Sequence, residues 1–437
     1  MMGEDSRPGT RRPRVLVTAS TFPRWTGDTL PTFVLDQVTR LSREHPELRF
    51  HLLAPHDPGA AKLERMGRIV VHRFQYCWPE SFQRLVYPSI LPNLTARRWL
   101  LAQVPFLFFF EFLATWRLSR RLSPIHLYSH WFCPQGVTTG LVGLLLRIPH
   151  SCTSHAVDVE VMWKLPWLGR RIVRGLVRRM EAVHVVSEPC RERLRAFFDE
   201  EEWLDVSRAV LRAPMGVDVE AIGRRSGPVE ELKERHGLAQ RTVILFLGRL
   251  VPKKGVAHLV SAFAGLAAER EGLELVIAGD GPEAADLRKE AAASGVGDRI
   301  RFFGHVQGDR KRELLQLCDM LVIPSVVTHD GDAEGLPVVL LEGLATGRIC
   351  LTTEASGASD VLTNGRDGFL LGSASSAALA AGMERILAFT DTERHRVSGE
   401  ARLTAARYDW SELTPLYFDH LLGDKSSDAR PSKSRAP

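Results

Sequence analysis

VILFLGRLVPKKGVAHLVSAFAGL, residues 243–266, sets an apolar run of strand length, a glycine-bounded turn with three cations, and a helical period end to end. A run without polar alternation suits a strand buried on both faces, and such strands belong to parallel sheets covered by helices. Working outward, comparable runs lie at 15–19, 50–54, 70–74, 125–129, 151–153, 182–186 and 210–213 on one side. On the other they lie at 273–278, 300–303, 320–323, 349–352 and 368–371. Helical stretches separate them, which predicts an α/β fold. A chain of 437 residues exceeds one ordinary domain, so two are expected.

Residues 216–228, GVDVEAIGRRSGP, hold glycine and charge without an apolar period and are expected to be the linker. The division is then 1–13, a disordered tail; 14–215, a first Rossmann-like domain; 216–228; 229–404, a second such domain; 405–423, an amphipathic helix; and 424–437, a tail too polar to pack. Ligands of open α/β sheets bind at the carboxyl ends of the strands, so an interdomain cleft is expected to hold the site.

Composition narrows the function classes. The net charge of +5 is too small for a nucleic-acid coat, and no nucleic-acid partner is expected. Residues 1–225 nevertheless carry 32 Lys and Arg against 22 Asp and Glu, while the remainder carries 25 against 30. A basic half joined to an acidic half suggests different partners, one of them anionic. Six scattered cysteines have no metal-ligand spacing and read as buried thiols in a reducing compartment. The N-terminus has no apolar core segment. The stretch 99–116, WLLAQVPFLFFFEFLATW, is interrupted by Gln103, Pro105 and Glu111, and a mid-span charge argues against a crossing helix. The expected location is cytoplasmic, peripheral on the inner face of the membrane.

The chemistry concentrates after the strands of the second half. Gly248, Arg249 and Lys254 join a strand end to a helix start, an arrangement suited to a pyrophosphate. IAGDGP (277–282) brings Gly279, and Gly304, His305 and Val306 follow the 300–303 run. No GxGxxG follows the first strand and no GxxxxGK[ST] exists, which disfavours a dinucleotide dehydrogenase and a P-loop ATPase. PSVVTHDGDAEGLPVVLLEGLATG (324–347) places Glu334 and Glu342 eight apart around a helix start at Gly335, Leu336 and Pro337. Carboxylates beside a phosphate site repel the phosphate, so they are read as acceptors for sugar and ribose hydroxyls. Asp330-Gly331-Asp332 is read as polar loop groups. No metal and no cofactor are expected.

GRLVPKKG, IAGDGP, FFGHV, EGLPVVLLE, SGASDVL and NGRDGFLL, in this order and spacing, resemble the nucleotide-sugar domain of retaining GT-B glycosyltransferases. The resemblance is to the large family 4, the group 1 type, and within it to a bacterial polysaccharide and glycolipid subgroup. It implies two facing Rossmann-like domains and transfer of a hexose from a nucleoside diphosphate sugar, as substrate, to a glycan or lipid-linked acceptor. It further implies that Arg249 and Lys254 hold the diphosphate, Glu334 the sugar hydroxyls and Glu342 the ribose. Amides at Gly335–Leu336 would serve sugar and phosphate, and Gly304–Val306 would lie by the base. The 405–423 helix would return to the first domain. Gly343 where Ala is usual, Arg348, and Ser356-Gly357 depart from the pattern without removing a charged site residue. The alternatives on this scaffold are a catalytically silent partner protein and an epimerase or phosphorylase.

In the first half, Gly27 opens the loop after the first strand, near donor phosphate and acceptor by the resemblance, and Trp25 is a stacking candidate for an acceptor sugar. His130 follows the 125–129 run. His155 and Asp158 form the family's H-x-x-D pattern after 151–153, where the histidine touches the donor sugar; Ala156 stands where Gly is frequent. Phe106–Phe112 and an arginine face at Arg170, Arg171, Arg174 and Arg178 on a helix at 169–183 point to docking on an anionic membrane surface.

Overall fold

The computed structural model describes residues 12–418 apart from 29, 156, 157 and 330. The expected tails at 1–11 and 424–437, the end of the C-terminal helix at 419–423, Ala156 and Asp330 lie outside the described residues. The fold has two units. One comprises the chain to His184, Phe197–Leu211 and the residues from Thr414; the other comprises Val185–Ala196 and Arg212–Leu413.

The first unit holds β1 (Arg14–Thr18), β2 (Arg49–Pro55), β3 (Leu63–Met66), β4 (Ile69–Phe74), β5 (His126–His130), β6 (His150–Ser154), β7 (Ala182–Val185) and β8 (Val210–Arg212). Their order in the sheet is β3-β4-β2-β1-β5-β6-β7-β8. Strand β1 is central, with Val15 opposite Phe50 on β2 and His126 on β5, both parallel. Only β3 was not expected. Its LERM sequence alternates exposed and half-buried positions at an antiparallel edge, too short and too charged to stand out.

The Phe-rich stretch forms the helix Val104–Leu122. Its buried stripe mixes one leucine with polar groups, Phe110, Phe112 and Trp116 pack against the core, and two other phenylalanines face outward. Leu107, Glu111, Thr115 and Ser119, spaced by four, are its buried positions, whereas Phe106 and Phe109 are more than half exposed. Burial pushes the Glu111 carboxyl up to about 8. With the preceding turn, Arg98–Leu122 is long and apolar enough to cross a membrane by length and composition, with 28% of its window buried.

The second unit contains β9 (Thr242–Leu247), β10 (Leu273–Ala278), β11 (Ile300–Gly304), β12 (Met320–Ile323), β13 (Ile349–Thr353) and β14 (Phe369–Leu371), in the order β11-β10-β9-β12-β13-β14. Among the described residues its strands pair in parallel. The unalternating run that opened the sequence now has its reason. Ile244 and Phe246 pack with Leu259, Phe263 and Met383 on one face, while Val243 and Leu245 pack with Leu314, Leu340 and Leu344 on the other.

Residues 216–228 are not a free linker. Val217 lies in the second unit's core and bridges Asp409, and a Cβ on Gly216 would come within 2.6 Å of the Trp410 indole. Asp218 caps the short helix Val219–Gly223 by accepting from the Ala221 N–H at 2.8 Å. The helix Glu188–Arg195, expected in the first domain, belongs to this unit: the Glu188 N–H donates to Asp360 at 2.5 Å.

Candidate active site

In the second unit, the turn after β9 is held by close backbone approach. Gly248 N–H bonds Ala278 O at 3.0 Å and Leu250 N–H bonds Asp280 O at 2.9 Å. A Cβ on Gly279 would sit 1.8 Å from Gly248 O, so the glycines of the 279–281 turn are required to support this loop. Gly255 takes φ +63° at the start of the helix Val256–Glu269, where a Cβ would strike Pro324 O at 2.0 Å. The β9 turn therefore lies against the loop after β12, and Val326 N–H bonds Lys253 O at 2.9 Å.

That contact delivers the charged residues to one place. Lys254 Nζ pairs with Glu334, whose other oxygen accepts from Ser325 Oγ at 2.8 Å. Burial pulls the Glu334 pKa upward, but the Lys254 ammonium, the Ser325 hydroxyl and the nearby Lys253 charge outweigh it and hold the carboxylate below its ordinary value. Lys253 reaches Asp332 at 2.9 Å. Arg249 is half-buried, and its guanidinium makes no hydrogen bond or ion pair among the described residues. Burial lowers its pKa, only partly offset by Asp332. A guanidinium so placed is an incomplete ion pair that an incoming anion would complete.

Glu342 sits in the second turn of the helix Val338–Ala345 and pairs with Lys311 Nζ at 2.5 Å. Lys311 was passed over in the sequence, because GDRKREL reads as a solvated charged face. Gly335 and Leu336 are buried ahead of that helix, and Gly335 O accepts from the Gly357 N–H. Gly304 turns at φ +64°, leaving His305 exposed and Val306 buried. The Gly343 departure has a packing cause: a Cβ there would lie 2.4 Å from Leu321 Cδ2 and 2.9 Å from Cys350 Sγ. Among the described residues no group of three His, Cys, Asp or Glu is placed to hold a metal ion.

The first unit assembles a separate cluster at the carboxyl ends of β5 and β6. His130 Nδ1 and His155 Nε2 are 3.1 Å apart with stacked rings. Burial holds both neutral, His155 at about 3. Trp131 adopts φ +69°, rare for a bulky residue, and packs its ring on His155 and Phe33 at 5.0 and 5.8 Å. Asp158 maintains this turn: its carboxylate accepts from Phe132 N–H at 2.5 Å and Ser154 Oγ at 2.6 Å. Burial pushes Asp158 up to about 6 against those hydrogen bonds. Each of its oxygens thus accepts a hydrogen bond that holds the turn. Trp131 and Phe33 were missed because single aromatics carry no spacing signal. In the loop after β1, Gly27 turns at φ +82° and Arg24 pairs with Asp28 and Asp57 while lying 4.5 Å over the 42%-exposed Trp25.

Known proteins are similar to this chain in sequence and in architecture. Residues 228–404 match the family described as glycosyl transferases group 1. The chain is 29% identical over 271 residues to a GDP-mannose-dependent alpha-(1-6)-phosphatidylinositol monomannoside mannosyltransferase of Mycobacterium tuberculosis, covering 61% of this chain and 68% of that protein. It is 28% identical over 242 residues to an alpha-D-kanosaminyltransferase of Streptomyces kanamyceticus, covering 54% and 59%. Anabaena HepE, solved with UDP-glucose, superposes with a TM-score of 0.68 at 16% identity, covering 93% of this chain and 99% of that one. The chain thus carries a glycosyl transferases group 1 domain at 228–404 and has the GT-B fold.

Proposed function

We propose that this protein transfers a hexose, with retention of anomeric configuration and without a metal ion, from a nucleoside diphosphate sugar to a hydroxyl of a glycan or lipid-linked acceptor. The observation that carries the reading is Arg249, half-buried in the turn that also carries Lys254, its guanidinium in no ion pair among the described residues. In the reaction the bond from the anomeric carbon to the diphosphate oxygen breaks and a bond to the acceptor oxygen forms. The acceptor proton leaves with the diphosphate. Charge develops on the departing oxygen, and Arg249 and Lys254 are placed to stabilise it more in the transition state than in the ground state. Glu334, kept ionised, accepts from sugar hydroxyls, and Glu342 from the ribose. The Mycobacterium relative's name supports a glycolipid acceptor.

The decisive experiment supplies UDP- and GDP-hexoses with lipid-linked acceptors and follows nucleotide release and product stereochemistry by NMR. A glycoside of the donor's own anomeric configuration, formed undiminished in EDTA and lost on Arg249→Ala, is expected. Donor binding without turnover would instead make the protein a silent partner, and free sugar or sugar phosphate as product would make it an epimerase or phosphorylase.

We also propose peripheral attachment to an anionic membrane through the helix Val104–Leu122. Its exposed side carries Phe106 and Phe109, so the helix suits lying on a lipid surface. The exposed Arg97, Arg98, Arg117, Arg120 and Arg121 flank it and would meet anionic headgroups.

A further inference from the structure

The arginines at 170–178 lie on the helix Pro166–Val177 and its C-terminal residue Arg178, and they do not form a flat basic face. With Trp163, Trp167, Gly175 and Glu202, they line a groove of about 660 Å³ in the first unit, within the size range of small-molecule sites. Four guanidiniums meet one carboxylate there. Glu202 is shared, accepting from Arg174 at 2.6 Å and Arg178 at 3.0 Å. Asp199 reaches only Arg174, at 3.9 Å. Arg171 is exposed, and its guanidinium makes no hydrogen bond or ion pair among the described residues. Arg170 covers the Trp163 ring at 5.5 Å, and Trp163 is stacked from its other side on Phe197 at 4.1 Å. Arg174 is fixed further by donating from Nε to Phe197 O at 2.7 Å.

Trp167 is the anomaly. At 74% exposure it is the most solvent-exposed large apolar side chain among the described residues, yet it sits at the lip of a structured groove. An indole left in water gains by covering its face. A carbohydrate ring offers an apolar C–H face for that purpose, and a charged substituent on the ring would reach the guanidinium forks. We propose that this groove is a binding site for an anionic sugar, a six-membered ring bearing phosphate or carboxylate. Trp167 stacks on the ring, Arg171 and Arg170 take the charge, and the Arg174–Glu202–Arg178 network sets the floor. The site stands independently of the transfer reaction, because its test reads binding alone.

Calorimetry on the full chain compares glucose 6-phosphate, glucuronate, glucose and inorganic phosphate. Vesicles of phosphatidylinositol and of phosphatidylglycerol at equal charge supply the lipid-borne form. Glucose 6-phosphate or glucuronate should bind about tenfold more tightly than glucose and than inorganic phosphate, and Trp167→Ala or Arg171→Glu should each remove about that factor. UDP affinity should be unchanged in both variants, which reports that they remain folded. Free-ligand binding identifies a soluble anionic sugar as the source. A preference for phosphatidylinositol over phosphatidylglycerol vesicles, abolished by Trp167→Ala, identifies a lipid headgroup as the source. Inorganic phosphate binding as tightly as the sugar phosphates, or variants binding like the wild type, would overturn the proposal.

Discussion

Glu334 and Glu342 are both paired with lysines, yet their partners predict different consequences. Glu334 is tied to Lys254 in the turn after β9, whereas Glu342 is tied to Lys311 beyond the Gly304 turn. Glu342→Gln should therefore weaken binding of a plain nucleoside diphosphate by about tenfold, with Glu334→Gln sparing it and damaging the sugar-dependent step. Equal losses of plain nucleotide affinity in a titration would contradict the split. Gly343 makes a second residue-scale prediction. Leu321 and Cys350 are fully buried, so Gly343→Ala must displace core atoms and should cost about 1–3 kcal/mol in urea denaturation. A neutral result would mean that the core there yields freely. The candidates Arg249, Lys254, Glu334 and Glu342 could be named from the sequence because they stand in glycine-marked turns or at a helix start after apolar strands. Residue chemistry was illegible where partners come from a charged helix or a lone aromatic, as with Lys311 and Trp131, because pairing across elements leaves no mark in local spacing.

Among the elements, strands were readable because parallel strands buried on both faces must be apolar throughout, as Val243–Leu247 shows. The short β3 and the supposed linker were not. Three apolar residues, Val217, Val219 and Ile222, dispersed among glycine and charge, reveal themselves only when Trp410 and Asp409 come to meet them. Buried titratable groups on the first unit's elements also set a pH profile. His51, at about 4, and His150 and His155, each at about 3, are held neutral by burial. Their folded pKa values are depressed, so their contribution is full above about 6.5 and is lost as pH falls, with a limiting slope of about 1.4 kcal/mol per pH unit each. Glu111 has the opposite sign: raised to about 8, it favours the folded state at low pH and loses that contribution as pH rises from about 4.5 through 8. Asp158, raised to about 6, acts like Glu111 over a lower window. Chemical denaturation should find maximal stability near pH 6.5, with Glu111→Gln flattening the decline above it. An unchanged decline would assign it elsewhere. For the aromatic helix, Phe106→Ser with Phe109→Ser should reduce cosedimentation with anionic vesicles without lowering the melting temperature, since both rings are exposed. Added salt should weaken the wild-type association. Wild type indifferent to anionic vesicles at low salt would remove the attachment proposal.

For the whole molecule, the charge difference between the basic first 225 residues and the acidic remainder was visible in the sequence, and the proposed docking of the first half on anionic lipid draws on it. The return of the last helix, Trp410–Phe418, to the first unit was expected from the family resemblance alone, because its composition says only that it is amphipathic. Its Tyr417 is fully buried, with its ring 4.8 Å from His184, and both belong to the first unit. A chain stopped before Thr414 should therefore lose stability in the first unit, by about 3 kcal/mol for the missing ring alone; unchanged protection of β7 amides in hydrogen exchange would refute this. Ribosomes deliver residues in order, and the first unit waits for some of the last ones described. Its core stays open while more than two hundred intervening residues are made, so assembly is a post-translational event and the nascent first half is a natural client for chaperones.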